Sequence, residues 1–270
     1  MRQLNSYNIS NYVPILSEKK KIGWIHKSRS KLIRQKNESS SNIHFKQILD
    51  YSRKLKSLKR PEFCPVFNYD SLNPKFQFHP KEKFCDGKLF QIERNNLSSF
   101  GFPAYGVHCN VWSKYKNSTI IHFARRSKQL KSFPSFFDNP IAGGQPCGIS
   151  IIDNLYKEAR EEAGLSVSDL RYAKKSKTVH YIHNYKKKLN SSILFIYHLE
   201  KKDNLQFYNQ DGEVEKFISV EINKIYEILE KKILKPNSII PILDFFILKE
   251  SDFIPKKVML EIKKIMKTYD

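Results

Sequence analysis

Residues 143–165 read GGQPCGISIIDNLYKEAREEAGL, and this stretch decides how the rest of the chain is read. Glu158, Glu161 and Glu162 stand at i, i+3 and i+4, so a helix brings all three carboxylates to one face. Three like charges that close repel unless a cation lies among them, and a hard divalent ion with oxygen ligands, Mg²⁺ above all, suits that need. Ile151, Leu155 and Ala159 repeat at steps of four on the other face, which is apolar enough to pack on a sheet. Ser150 followed by Asp153 has the form of a capping box, and Gly164 stands where a helix-ending glycine belongs. The stretch therefore predicts a short helix, acidic on one side and apolar on the other.

The acidic face alone is no more than a solvated surface; its flanks add the information. The 23-residue spacing resembles the box of the Nudix hydrolases, G-x5-E-x7-R-E-U-x-E-E-x-G-U, where U is bulky and aliphatic. Gly143, Glu158, Glu161, Glu162, Gly164 and Leu165 match. Ile149 replaces the first glutamate, Lys157 replaces the arginine, and Ala159 stands in for the aliphatic residue. All three glutamates that hold metal in that family are present.

The chain has 270 residues, with 48 Lys+Arg against 27 Asp+Glu, a net charge of +21. Its 40% hydrophobic content is enough for a folded core. Such a charge attracts nucleic acid, anionic membranes or polyphosphates. The lysines are spread along the chain rather than gathered in a block, which favours a compositional bias, and nucleic acid is not the expected partner. Cys64, Cys85, Cys109 and Cys147 show no CxxC pairing or metal-ligand spacing and read as ordinary reduced thiols. No apolar run approaches the ~18 residues of a membrane span. The N-terminus lacks a secretory apolar core, and Tyr12–Leu16 comes too early to leave much room for a transit peptide. A cytoplasmic protein without membrane partners is the expectation.

Strands are expected at Tyr12–Leu16, Lys21–Ile25, Ala104–Trp112, Thr119–Arg125, Thr178–His183, Ile193–Leu199 and Val214–Val220. Helices are expected at His44–Leu58, Glu221–Lys232, Ile239–Leu248 and Leu260–Met266, with a polar loop at Lys36–Ser41. Turns and short strands fill Phe63–Lys88. Fold class is α/β.

Beyond the box, the chain resembles the thiamine-pyrophosphokinase-related branch of the Nudix hydrolases. The carrying segments are VPIL and KIGWIH, Ile92–Trp112 (IERNNLSSFGFPAYGVHCNVW), and Phe123–Ser150 (FARRSKQLKSFPSFFDNPIAGGQPCGIS). They continue with Asp211–Phe217 (DGEVEKF) and Leu234–Ile247 (LKPNSIIPILDFFI). Ser135 departs from the glycine usual in the group, while the missing first box glutamate is typical of it. The resemblance implies a Nudix α/β/α sandwich at 91–250, a smaller mixed α/β N-terminal domain at 1–90 and a helical extension at 251–270. For residues 1–90 three roles stand open: capping the site, homodimerisation, or binding a partner.

The implied activity is Mg²⁺-dependent removal, with Mn²⁺ an acceptable substitute, of the terminal phosphate from a small-molecule diphosphate. In this group the substrates are thiamine diphosphate and, preferentially, damaged analogues such as oxo- and oxythiamine diphosphate. Glu158, Glu161 and Glu162 are assigned to the metal, with Glu162 and Glu213 as catalytic groups. Arg125, Arg126 and Lys128 are candidates for the diphosphate, and Asp138, Asn139 and Gln145 for the aminopyrimidine edge. Gly143, Lys157 and Gly164 have structural roles. Tyr105 and Phe133 are ring-stacking candidates or core, His108 is a core histidine, and Cys147 needs no role. Two alternatives stay open: a Nudix pyrophosphatase for nucleotide diphosphates or capped RNA, and a non-catalytic Nudix module.

Overall fold

A computed structural model describes residues 7–33, 42–55, 59, 61–74, 78–202, 205–249 and 254–268. The expected loop at 36–41 lies outside them. The chain divides into two compact units. One comprises Met1–Tyr105, Gly144–Ile151 and His180–Ile193; the other comprises Gly106–Gly143, Ile152–Val179 and Leu194–Asp270.

In the first unit β1 (Tyr12–Ser17) pairs antiparallel with β2 (Lys20–His26), which runs into the single turn α1 (Lys27–Ser30). The short β3 (Ile43–His44) adds to β1 in parallel and leads into α2 (Phe45–Arg53). His44 caps α2, accepting from the Lys46 N–H while Gln47 reaches back to the His44 N–H. The helix expected as far as Leu58 ends at Arg53, with the chain turning at Lys54; residues 56–58 lie outside the described ones. An antiparallel pair, β4 (Phe63–Phe67) and β5 (Lys88–Glu93), follows. Ile15, Ile25, Ile43, Ile48, Cys64 and Phe102 are among the fully buried side chains of this unit's core.

The larger sheet has the order β10-β11-β6-β7-β12, with β8 on β7 and β9 on β6. Its strands are β6 (Pro103–Tyr115), β7 (Ser118–Arg126), β8 (Phe137–Asp138) and β9 (Ile141–Gly144). After α3 (Ile151–Ala163) come β10 (Lys174–Tyr185), β11 (Lys188–Glu200) and β12 (Val214–Glu221). Each expected strand is present, mostly longer than its apolar run. Val107, Cys109 and Val111 are completely buried on β6, as are Ile121 and Phe123 on β7, and the residues between them, His108, Asn110 and His122, are buried as well, so both faces of these strands are covered. The helix expected from Glu221 is shorter: Glu221 stays extended, a 3₁₀ turn takes Ile222–Lys224, and α4 spans Ile225–Glu230. α5 (Ile239–Leu248) and α6 (Lys256–Met266) close the chain. The α/β class expected from the sequence is the one found. Among the described residues no helix is long and apolar enough to cross a membrane.

The cysteines need a correction. Cys85 and Cys147 form a disulfide, with Cα atoms 5.2 Å apart, inside the range a bridge requires. Spacing gives no hint of it, because 62 residues separate the pair and backbone pairing alone makes them neighbours. The Phe84 N–H donates to the Ile149 carbonyl at 3.2 Å, and the Cys147 N–H donates to the Phe63 carbonyl at 3.2 Å. Cys64 and Cys109 remain buried thiols, and burial pushes Cys64 up to about 12. Denatured protein kept from reductant should therefore show two titratable thiols, and four after reduction. Cys147→Ser should lower the unfolding free energy by about 2–4 kcal/mol, read from denaturant midpoints without reductant. Four thiols before reduction would rule the bridge out.

Candidate active site

The box helix α3 is organised by what it buries. Ile151, Leu155, Ala159 and Ala163 are inaccessible, as the four-residue repeat requires. On its other side Glu158 and Glu162 are also buried, at 9% and 8% exposure, while Glu161 keeps to the surface. Gly143 on β9 explains how the chain comes so close to Glu158. A Cβ at position 143 would overlap the Glu158 carboxyl group. The Glu162 carboxylate accepts the Ala142 N–H at 2.8 Å, so one short strand docks on both buried acids. Gly164, at φ +66°, ends the helix: its N–H donates to the Arg160 carbonyl, and the Leu165 N–H to that of Ala159. A side chain there would meet the Tyr208 backbone.

Lys157 bridges two of the acids, with Nζ 3.0 Å from Glu158 and 2.9 Å from Glu161. Burial opposes its charge, yet the two carboxylates hold its proton affinity above the usual lysine value. Among the described residues no three His, Cys, Asp or Glu side chains converge as a ready metal cage. The donor set nevertheless fits a hard cation. Burial, then the nearby Asp138 and Glu158 charges, push Glu162 well above the ordinary carboxylate range, against the Ala142 N–H and Lys235. Hard oxygen donors with unbalanced negative charge are what a divalent ion of this kind is bound by.

Asp138, on β8, is the third buried acid, at 2% exposure. Its carboxylate accepts from Arg126 at 3.1 Å, from Lys235 at 2.6 Å, from the Ser238 hydroxyl and from the Asn139 N–H. Burial would raise its proton affinity, but Lys235, His108 and these hydrogen bonds outweigh it and hold the carboxyl below its ordinary value. A polar chain continues inward. His108 Nδ1 donates to Asn139 Oδ1 at 2.9 Å, Asn139 donates to Asn110 at 2.6 Å, and Asn110 donates to His198 at 3.2 Å. His198 in turn donates to Asp244 at 2.9 Å. Burial lowers His108 to about 4, so it is neutral at physiological pH, the core histidine expected.

The other expected residues are less concentrated. Arg125 lies 3.7 Å from Glu215 across the β7–β12 pair, and Lys128 is exposed beyond the end of β7. Glu213 is exposed just before β12, its carbonyl accepting the Ser127 N–H at 2.8 Å. The preceding segment is tied to the box helix, since the Gln210 N–H donates to the Glu161 carbonyl at 3.1 Å. In the first unit Gln145 is fully buried and donates to the carbonyls of Pro146 and Ile149, while its side-chain oxygen has no hydrogen-bond partner in the structure. Tyr105 is core, hydroxyl to hydroxyl with Tyr69, whereas Phe133 is 42% exposed. Lys235, Ser238 and Asn110 received no individual role from the sequence. The available signal was an asparagine in the middle of an apolar strand, VHCNVW, and the DN and KPNS pairs.

No family model matches the chain. Two Arabidopsis thaliana proteins do, along most of its length. Nudix hydrolase 20, chloroplastic, is 27% identical over 256 residues, which is 89% of this chain and 68% of that protein. Nudix hydrolase 24, chloroplastic, is 27% identical over 249 residues, 88% of this chain and 67% of the relative. Along most of its length the chain is thus similar to Nudix hydrolases. Among solved structures, the Nudix domain of Shewanella oneidensis NrtR complexed with ADP-ribose covers 54% of this chain and 88% of its own, at 13% identity and a TM-score of 0.44.

In this site Asp138 is the buried charge whose loss of partners is easiest to test. Lys235→Met leaves its anion with less compensation, which costs on the order of 3 kcal/mol at pH 7. Because the folded carboxyl titrates below the unfolded value of about 3.9, the stability it contributes is present above that value and lost as pH falls. The deficit of Lys235→Met against the parent should shrink between about pH 5 and pH 3. Urea unfolding at both ends checks this, and a deficit independent of pH would show that the ion pair is not its cause.

Proposed function

We propose that the chain cleaves a diphosphate linkage and removes the terminal phosphate of thiamine diphosphate analogues, oxythiamine and oxothiamine diphosphate first. The observation that carries the hydrolytic part is the docking of β9 on α3, where Gly143 makes room for Glu158 and Ala142 holds Glu162. Two buried carboxylates against one strand form a cation-demanding wall rather than a solvated helix face. The thiamine part is supported by the ordered segments from AYGVH to KPNS, on which the chain resembles the thiamine-related branch.

Glu158, Glu161 and Glu162 would hold a divalent ion, Mg²⁺ or Mn²⁺, with Lys157 releasing Glu158 and Glu161. When bound, such an ion polarises phosphoryl oxygens and lowers the pKa of a bound water. The remaining work belongs to side chains. Arg125 and Lys128 are the cations assigned to the diphosphate, neutralising oxygens that gain charge as the linkage breaks. Glu213, next to the segment tied to Glu161, is assigned to take the proton from the attacking water. Gln145 offers a buried acceptor oxygen to a donor on the substrate ring. A site that hydrogen-bonds the altered ring group discriminates, because the wrong group leaves a buried polar atom unpaired.

The test is Mg²⁺-dependent phosphate release from oxythiamine diphosphate, thiamine diphosphate, ADP-ribose and a capped RNA. A higher kcat/KM for the oxythiamine compound, falling at least about a hundredfold in Glu162→Gln, is expected. Turnover of the nucleotide compounds alone would discard the thiamine assignment, and turnover of none would discard catalysis on this panel. Gly143→Ala should reduce kcat to a similar degree, since the added methyl must displace the Glu158 carboxyl. A folded Gly143→Ala protein with parental kcat would overturn the role given to that contact.

A further inference from the structure

A second concave feature belongs to the larger unit and has no residue on the box helix. It is a cavity of about 860 Å³ between the far end of β6, the end of β11 and the end of α5. Trp112 stands six residues along β6 from Gly106, about 20 Å at the rise of a strand, and Gly106 is the residue that touches Gly143. The cavity is thus well separated from the buried acids.

Its lining is unusual even for this basic chain. Five of its ten residues are lysines (Lys114, Lys174, Lys201, Lys202 and Lys249), whereas Lys and Arg together make up 48 of 270 residues overall. One carboxylate, Glu200, faces them. The crowding is physical: burial, with Lys114 and Lys174 adding to it, lowers the proton affinity of Lys249 despite the opposing pull of Glu200. Lysines scattered over a convex surface would relax away from one another. Here they line one concave space, and an anion within it would relieve their repulsion.

The walls supply flat apolar surface as well. Tyr172 is 49% exposed and Leu248 55% exposed at the rim. The Lys249 ammonium lies 3.5 Å from the centre of the Trp112 ring, and that of Lys202 lies 4.6 Å from the centre of the Tyr172 ring. Beneath them His198 is fixed between Asn110 and Asp244, so the floor is a hydrogen-bonded part of the core. The volume falls within the range for one small ligand.

We propose that this cavity binds an organic phosphate bearing a planar ring, of the nucleoside diphosphate class, at a site separate from the box helix. The lysines take the phosphates as mobile point charges, and Tyr172 with Leu248 takes the ring. The proposal does not rest on the substrate assigned above.

The experiment is isothermal titration calorimetry of the full chain with ADP, adenosine and pyrophosphate, all in EDTA so that no divalent ion assists binding at the acids. One-to-one ADP binding is expected, tighter than pyrophosphate or adenosine. It should weaken about tenfold or more in Lys174→Glu and in Lys249→Glu, and stay within about twofold in Glu158→Gln. Lys174 is exposed, so its variant guards against a folding defect at Lys249, and circular dichroism verifies both. Failure of ADP to bind, or ADP binding that survives both reversals, overturns the proposal. Pyrophosphate binding as tightly as ADP removes the ring from it, and binding of an oligoribonucleotide without ADP replaces it with an RNA-binding surface.

Discussion

Burying the Asp138 carboxylate sets the terms for much of the larger unit. The group is reached by Arg126, 12 residues earlier, and by Lys235 and Ser238, 97 and 100 residues later. An isolated carboxylate in that position would cost several kcal/mol, so the segment before α5 has to return to β7 and β8. Once it does, the Lys235 carbonyl–amide geometry follows: the Lys235 N–H meets the Phe137 carbonyl at 2.8 Å and the Phe137 N–H meets that of Ile233 at 2.7 Å. Asp138 also raises the charge demand at Glu162, so the hub that closes the fold and the acids of the box helix share one electrostatic field.

Much of this was legible in the chain. The four-residue apolar repeat of α3 marks the buried face, and Gly164 marks the end, because both follow from helix geometry that acts within a few residues. β6, β7, β10, β11 and β12 could be placed because each carries an apolar run between turn residues, whereas β8, two residues inside an expected loop, and the four-residue β9 carry no such signal. Elements that ended differently from expectation, α2 and α4, have weaker boundaries: nothing in KLKSLK or EINKIY states where hydrogen bonding stops. The place of Gly143 was legible only through its family spacing. Its physical reason, a backbone pressed against the Glu158 carboxyl, is a contact across fifteen residues that no local pattern records.

The two features the residues hid most completely are long-range ones. Cys85 and Cys147 carry no spacing signature, and they meet because the strap at 83–85 pairs with 149–150. The sign of Asp138's shift is hidden in the same way. A carboxylate at a strand edge beside asparagine reads as a polar contact available to a substrate, whereas its four donors come from three separate segments. A sequence shows which groups can ionise. It does not show which ones will be forced to share a cation.

That sharing bears on why Lys157 stands where the box has arginine. An arginine would hold a carboxylate with a rigid, two-pronged fork, while a lysine ammonium is a compact charge on a flexible stem. Lys157 spans Glu158 and Glu161 at nearly equal distances, 3.0 and 2.9 Å, and is 41% exposed. Its contact with Glu161, 37% exposed, contributes little to stability, whereas the one with Glu158, 11% exposed, is screened far less. Glu162 is held by the Ala142 N–H regardless, and the Glu158 carboxyl lies against Gly143. The lysine is therefore one flexible counter-charge shared by two acids rather than a fork fixed on one of them.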